Sequence, residues 1–149
     1  EAATEIARAD STFRLAFGSG DFRRDTGMSD DPLAMAYPRS RLVVSSRVAR
    51  LPGPIDGPTL TANDSILGRD AALTLSMGMA GKLCMHTDQV AIVNRELAPS
   101  PTDVSWAHDV IDALGADGAH VKDGSDLPRL AKALKINELA RIFGISAAS

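Results

Sequence analysis

FRLAFGSGD, residues 13–21, is a short apolar run closed by a cluster of small residues. An aromatic at each end and Leu15-Ala16 between them predict a buried strand over Phe13–Phe17. Gly18, Ser19 and Gly20 then stop it abruptly and place Asp21 directly behind it. Two more segments of this kind follow. Ile55-Asp56-Gly57, after the breaker cluster Leu51-Pro52-Gly53-Pro54, predicts the end of a very short strand. KLCMH, Lys82–His86, predicts a third strand, entered through a turn bracketed by Gly78 and Gly81.

Helical patterns fill the intervals. Residues 1–9 read as the end of a helix with Ala2, Ile6 and Ala9 on one face. The polar loop DTGMSDD leads into a long helix from about Pro32 to Arg50, which Pro38 should kink or restart. Asn63-Asp64 can cap a helix to about Met77, and residues 88–97 are helical. Pro99-Ser100-Pro101 breaks the chain, and Thr102 or Asp103 caps a further helix to Leu114. After a glycine-rich connection, Gly115–Gly124, Asp126 or Pro128 starts a last helix that ends near Phe143. Strands separated by helices imply an α/β fold of parallel βα units. Three strands leave two open edges, an aggregation liability, so further strands are expected upstream.

The 149 residues suffice for a real core, built with 44% apolar but only 4% aromatic residues. The net charge of −3 gives no reason to invoke nucleic acid. No apolar run approaches the ~20 residues of a membrane span. The single cysteine, Cys84, excludes an internal disulfide and fits a reducing compartment, here the cytoplasm. The chain opens inside a helical pattern without an N-cap or an initiator Met, which reads as a cut.

Asp21 occupies the address where βα folds gather catalytic groups, the carboxyl end of a strand. The N–H groups of Gly18, Ser19 and Gly20 could hold a substrate carboxylate. An aspartate capping its own turn is the more frequent occupant of such a loop. His86 lacks a second His or Cys at ligand spacing, which argues against zinc. Cys84 reads as core, and Trp106 as a packed helix residue. Asp126, before a Pro-containing first turn, reads as a helix N-cap. Arg39, Arg41, Arg47 and Arg50 read as a solvated or salt-bridged helix face, with a CoA-phosphate role the sharper alternative.

Taken in order, EIARAD with FRLAFGSGD, PIDGP, and GMAGKLCMHTDQVAIVNRELAPSPTDVSWAHDVIDA resemble the citrate lyase beta-subunit family. That family lies within the wider HpcH/HpaI aldolase, malyl-CoA and citramalyl-CoA lyase group, and the likeness thins after Gly115. The resemblance implies the C-terminal portion of a TIM (β/α)8-type barrel with additional C-terminal helices. Residues 1–114 would be its last three βα units, and residues 115–149 a C-terminal helical extension. It further implies a Mg²⁺-dependent carbon–carbon lyase, commonly trimeric, acting on a hydroxyacyl-CoA-type thioester or a 2-keto acid. Asp21 would ligate Mg²⁺, Gly18–Gly20 would cradle the substrate carboxylate, and Asp126 would be a catalytic acid/base offered to a neighbouring subunit. A second metal carboxylate and a substrate-clamping arginine would precede residue 1, on the missing N-terminal half of the barrel. Gly20 and Thr87 stand where relatives often carry Glu and Pro. A thioester hydrolase and a non-catalytic half-barrel subunit are the competing readings.

Overall fold

The computed structural model describes residues 2–148. They fall into two compact units, the first ending at Leu97 and the second beginning at Ala98.

At the centre of the first unit three chain segments run parallel. Ala16 bridges Ile55, and β1 (Ile55–Asp56) pairs with β2 (Gly81–Lys82) in the register Ile55↔Gly81, Asp56↔Lys82. The Ile55 N–H donates to the Leu15 carbonyl (3.0 Å), the Phe17 N–H to the Ile55 carbonyl (2.9 Å), and the Leu83 N–H to the Asp56 carbonyl (3.0 Å). The expected strand over residues 13–17 thus narrows to a bridge, with Leu15 and Phe17 buried but Phe13 76% exposed. The cause lies in its partner. Pro52, Pro54 and Pro58 flank β1 and lack N–H groups, so the ladder cannot lengthen. For the same reason the third strand is Gly81–Lys82 rather than Lys82–His86. Beyond Leu83 the chain leaves the sheet, and the Met85 N–H donates to the Gln89 side chain instead (2.8 Å).

Helices cover these segments. α1 (Ala3–Arg8) packs on α3 (Ala36–Val48), with the Thr4 and Ser45 hydroxyls 2.9 Å apart. Its inner face is Ala3, Thr4 and Ala7, not the expected Ala2, Ile6 and Ala9, all three of which are exposed. α2 (Ser19–Thr26) was not expected: the loop after Phe17 winds directly into two helical turns, ended by Gly27 at φ 73°. α3 starts at Ala36, later than expected, and Pro38 sits in its first turn. There its missing N–H costs no intrahelical bond, which fits the restart expected at Pro38. Asn63 caps α4 (Asp64–Ser76) by accepting the Ile66 N–H at 3.1 Å, as expected. α5 (Gln89–Leu97) packs on α4. Phe17, Met35 and Met79 form a core with Phe22, Leu42, Val43 and Met77 against it, flexible thioethers filling what few aromatics leave open.

The second unit joins α6 (Pro101–Leu114) to α7 (Asp126–Phe143) through Ala107, Val110, Leu114, Leu130 and Ala133. Ser100, not Thr102 or Asp103, is the N-cap of α6. Its hydroxyl accepts the Asp103 N–H at 3.1 Å, and Asp103 reaches back to the Ser100 N–H at 3.2 Å. The compact units divide after Leu97, so α6 groups with α7 rather than with the strands. No helix among the described residues is long and apolar enough to cross a membrane.

Candidate functional site

The carboxyl ends of the three parallel segments release three loops: Gly18–Asp21 into α2, Gly57–Thr61, and Leu83–Asp88. Beneath them lies a buried charge cluster. Asp56 is fully buried and paired with Arg39, whose Nε donates to both carboxylate oxygens at 3.0 and 3.1 Å. Thr74 Oγ1 donates to the same carboxylate at 2.7 Å and the Gly57 N–H at 2.9 Å. Lys82 Nζ stands 3.7 Å from Asp56 Oδ2 and donates to the Gly57 carbonyl at 2.9 Å. Burial pulls the Lys82 ammonium below the usual lysine range, against the attraction of Asp56 and Asp70.

Gln89 ties the two later loops together. Its Nε2 donates to the Thr59 and Thr61 carbonyls at 3.2 Å each, and its Oε1 accepts the Met85 and His86 N–H groups at 2.8 and 3.4 Å. A cleft of about 870 Å³ opens above, lined among others by Ser19, Gly20, Arg23, Arg39, Thr59 and Lys82.

Gly18, Ser19, Gly20 and Asp21 stay contiguous at the carboxyl end of the first segment, with Ser19 and Gly20 on the cleft. The Ser19 N–H is already donated to the Phe17 carbonyl at 2.9 Å. Gly20 and Asp21, in the first turn of α2, have no helical carbonyl to reach, so their N–H groups are the ones free to meet an anion. The Asp21 side chain is 78% exposed and pairs with Arg24 at 3.1 Å. Among the described residues no three His, Cys, Asp or Glu side chains converge on a metal position. An exposed carboxylate nonetheless suits Mg²⁺, which takes one or two protein carboxylates and completes its shell with water and substrate oxygens.

Asp126 belongs to the second unit. It is the first helical residue of α7 rather than its cap. One carboxylate oxygen accepts the Lys122 N–H at 3.0 Å, and the other pairs with Arg129 at 3.3 Å. Cys84 is only half-buried, so it is not core, because the strand meant to bury it ends at Lys82. His86 is exposed on a smaller pocket of about 320 Å³. Trp106 packs in α6 as expected, with the Lys132 ammonium 5.0 Å over its ring. Arg41, Arg47 and Arg50 are exposed, whereas Arg39 turns inward to Asp56. Sequence reasoning missed the Asp56–Arg39–Lys82 cluster and Gln89. The available signal was an aspartate inside PIDGP, at the end of a segment otherwise apolar.

Residues 102–144 match the HpcH/HpaI aldolase C-terminal domain. Mitochondrial citramalyl-CoA lyase of Homo sapiens is 32% identical over 136 residues, covering 85% of this chain and 40% of that protein. A citrate lyase subunit beta-like protein of Deinococcus radiodurans is 31% identical over 141 residues, covering 88% of this chain and 49% of that one. The chain therefore spans less than half the length of these curated relatives. Among solved structures, a citrate lyase from Burkholderia xenovorans LB400 superposes with a TM-score of 0.74 over 99% of this chain and 51% of its own, at 17% identity. CitE from Mycobacterium tuberculosis, in complex with magnesium, acetoacetate and coenzyme A, gives 0.69 over 91% of this chain and 56% of its own, at 21% identity. The short parallel segments with their covering helices are thus the C-terminal portion of a TIM-barrel fold, in a chain similar to citramalyl-CoA lyase and to citrate lyase beta-like protein and carrying a match to the HpcH/HpaI aldolase C-terminal domain.

Proposed function

We propose that this chain supplies the later βα units and part of the active site of a Mg²⁺-dependent carbon–carbon lyase acting on a hydroxyacyl-CoA-type thioester. The observation that carries the reading is Asp21. It stands exposed at the carboxyl end of a parallel segment, beside a cleft, in a chain 32% identical over 136 residues to a citramalyl-CoA lyase.

Asp21 would hold Mg²⁺ through its carboxylate, and the first-turn N–H groups of Gly20 and Asp21 would bind a substrate carboxylate. The chemistry that Mg²⁺ supplies at such a site is Lewis-acid polarisation of the substrate's hydroxyl and carboxylate oxygens. Cleavage removes the hydroxyl proton, breaks the adjacent carbon–carbon bond and leaves its electron pair in the thioester enolate. The hydroxyl carbon becomes a keto group. A carboxylate that takes up the hydroxyl proton can return it to the enolate carbon, and Asp126, held through Lys122 and Arg129, is the residue proposed for that work in the active site of a neighbouring subunit. Of the cations lining the cleft, Arg39 and Lys82 are already committed to Asp56, so they shape the floor rather than take part in proton transfer.

Asp21→Asn in the natural polypeptide tests the reading. Metal-dependent turnover should be lost while the thermal transition and circular dichroism are retained; unchanged turnover would sink the assignment. The products divide the two chemistries. A lyase releases an acyl-CoA, whereas a hydrolase releases free CoA.

A further inference from the structure

The loop carrying Asp21 is set from outside itself. A Cβ added to Gly57 would fall on the Ser19 hydroxyl, 2.6 Å from Ser19 Cβ and 3.1 Å from the Phe17 carbonyl oxygen. Gly57 is not among the positive-φ glycines, so its identity is demanded by this close approach and not by its backbone angle. Its own position is fixed on both sides. Lys82 Nζ donates to its carbonyl at 2.9 Å, and its N–H donates to Asp56 Oδ1 at 2.9 Å. Asp56 is anchored in turn to α3 through Arg39 and to α4 through Thr74. Lys82, with a side chain 2% exposed, has been stripped of water to reach a backbone carbonyl and a carboxylate. That cost is offset only if the ammonium's position matters.

We propose that Gly57, clamped by Lys82 and Asp56, is the positioning element of the Gly18–Asp21 loop, with Lys82 acting through Gly57 rather than on the substrate. The inference rests on the reading of that loop as the active site. The alternative support is thin. The first segment meets β1 by a single bridge and two backbone hydrogen bonds, which leaves the direction of the loop beyond Phe17 undetermined. Contact between Gly57 and Ser19 comes immediately after that bridge and fixes where α2 begins.

The test uses the full polypeptide, amide hydrogen exchange over the segment that contains α2, and Mn²⁺ affinity by electron paramagnetic resonance. Gly57→Ala should raise exchange at the Phe22 amide, which donates to the Gly18 carbonyl, about tenfold and weaken Mn²⁺ binding by a similar factor. The double variant Ser19→Gly/Gly57→Ala removes both Ser19 atoms that the new Cβ strikes and leaves only the Phe17 carbonyl oxygen, at 3.1 Å. It should return both quantities to within about twofold of Ser19→Gly alone, a non-additivity that a general loss of stability would not produce. Lys82→Met keeps the packing volume and deletes the bond to Gly57, and should shift both readouts in the direction of Gly57→Ala. It carries the test should Gly57→Ala fail to fold. Unchanged exchange in Gly57→Ala and Lys82→Met would overturn the proposal, as would a double variant no better than Gly57→Ala. A parent protein that binds no Mn²⁺ but shows the coupled exchange would instead remove Asp21 as a metal ligand and leave the positioning role standing.

Discussion

Replacing Asp56 by Asn isolates the electrostatics of the first unit. The carboxylate is fully buried and receives Arg39 Nε at 3.0 and 3.1 Å, Thr74 Oγ1 at 2.7 Å and the Gly57 N–H at 2.9 Å, with Lys82 Nζ at 3.7 Å. Asparagine fits the same volume. It keeps one acceptor oxygen, but turns an NH₂ group towards donors and removes the carboxylate charge paired with two cations whose side chains are 13% and 2% exposed. Breaking a buried pair from one side costs about 3–5 kcal/mol, because the remaining charge can neither pair nor rehydrate. Domains are stable by only ~5–15 kcal/mol, so the variant should sit near the edge of folding. With a urea dependence of ~2 kcal/mol per molar, the midpoint should fall by about 2 M at unchanged slope, followed by far-ultraviolet circular dichroism. Adding Lys82→Met to the variant removes one stranded cation and should recover about 1–2 kcal/mol. A loss below ~1 kcal/mol for Asp56→Asn, or no recovery in the double variant, would refute the claim that Asp56 neutralises this cluster.

Gln89→Leu deletes four hydrogen bonds to backbone groups of two loops and should cost about 2–4 kcal/mol, with raised amide exchange at Met85. A cost under ~1 kcal/mol would mean that water replaces the side chain without penalty. Asp103→Ala removes half of the capping box and should destabilise the second unit by ~1 kcal/mol, read from the fluorescence of Trp106, the sole tryptophan. The Ser100 hydroxyl and N–H hold the Asp103 carboxyl below its ordinary value, so its stabilisation is present above the ordinary aspartate range and disappears as pH falls through the lowered folded-state value. The alanine variant should therefore show a flatter acid limb than its parent. Asp126→Asn should reduce turnover about 10²-fold or more at unchanged Mn²⁺ affinity; a lowered melting temperature with normal turnover would make Asp126 a structural anchor only.

Residues whose roles are set locally were legible in the sequence. Asn63 caps α4, and Gly18–Gly20 mark the end of an apolar segment, because a cap or a chain reversal is decided within a few residues. Strand length was not legible. The run FRLAF has the composition of a strand, yet pairing depends on a partner some forty residues away whose flanking prolines truncate it. Helix α2 was missed for a related reason. Glycine and aspartate signal a turn, and two helical turns immediately after a strand carry no apolar stripe to announce them, since α2 buries no residue fully. Arg39 shows the limit most clearly: it shares its helix with the exposed Arg41 and Arg47, and only the position of Asp56 turns it inward.

The same facts explain why charge rather than apolar packing lies beneath the loops. Two-residue strands fix few backbone bonds, and a core rich in methionine tolerates alternative packings. Apolar contacts of that kind hold a layer together without choosing one register over its neighbour. Hydrogen bonds accepted by Asp56 and made by Lys82 and Gln89 are directional and lose most of their value on a shift of one residue. Their cost in desolvation thus selects a single arrangement of the Gly57–Thr61 and Leu83–Asp88 loops. The metal and substrate site proposed for these loops would need that uniqueness more than it would need net stability.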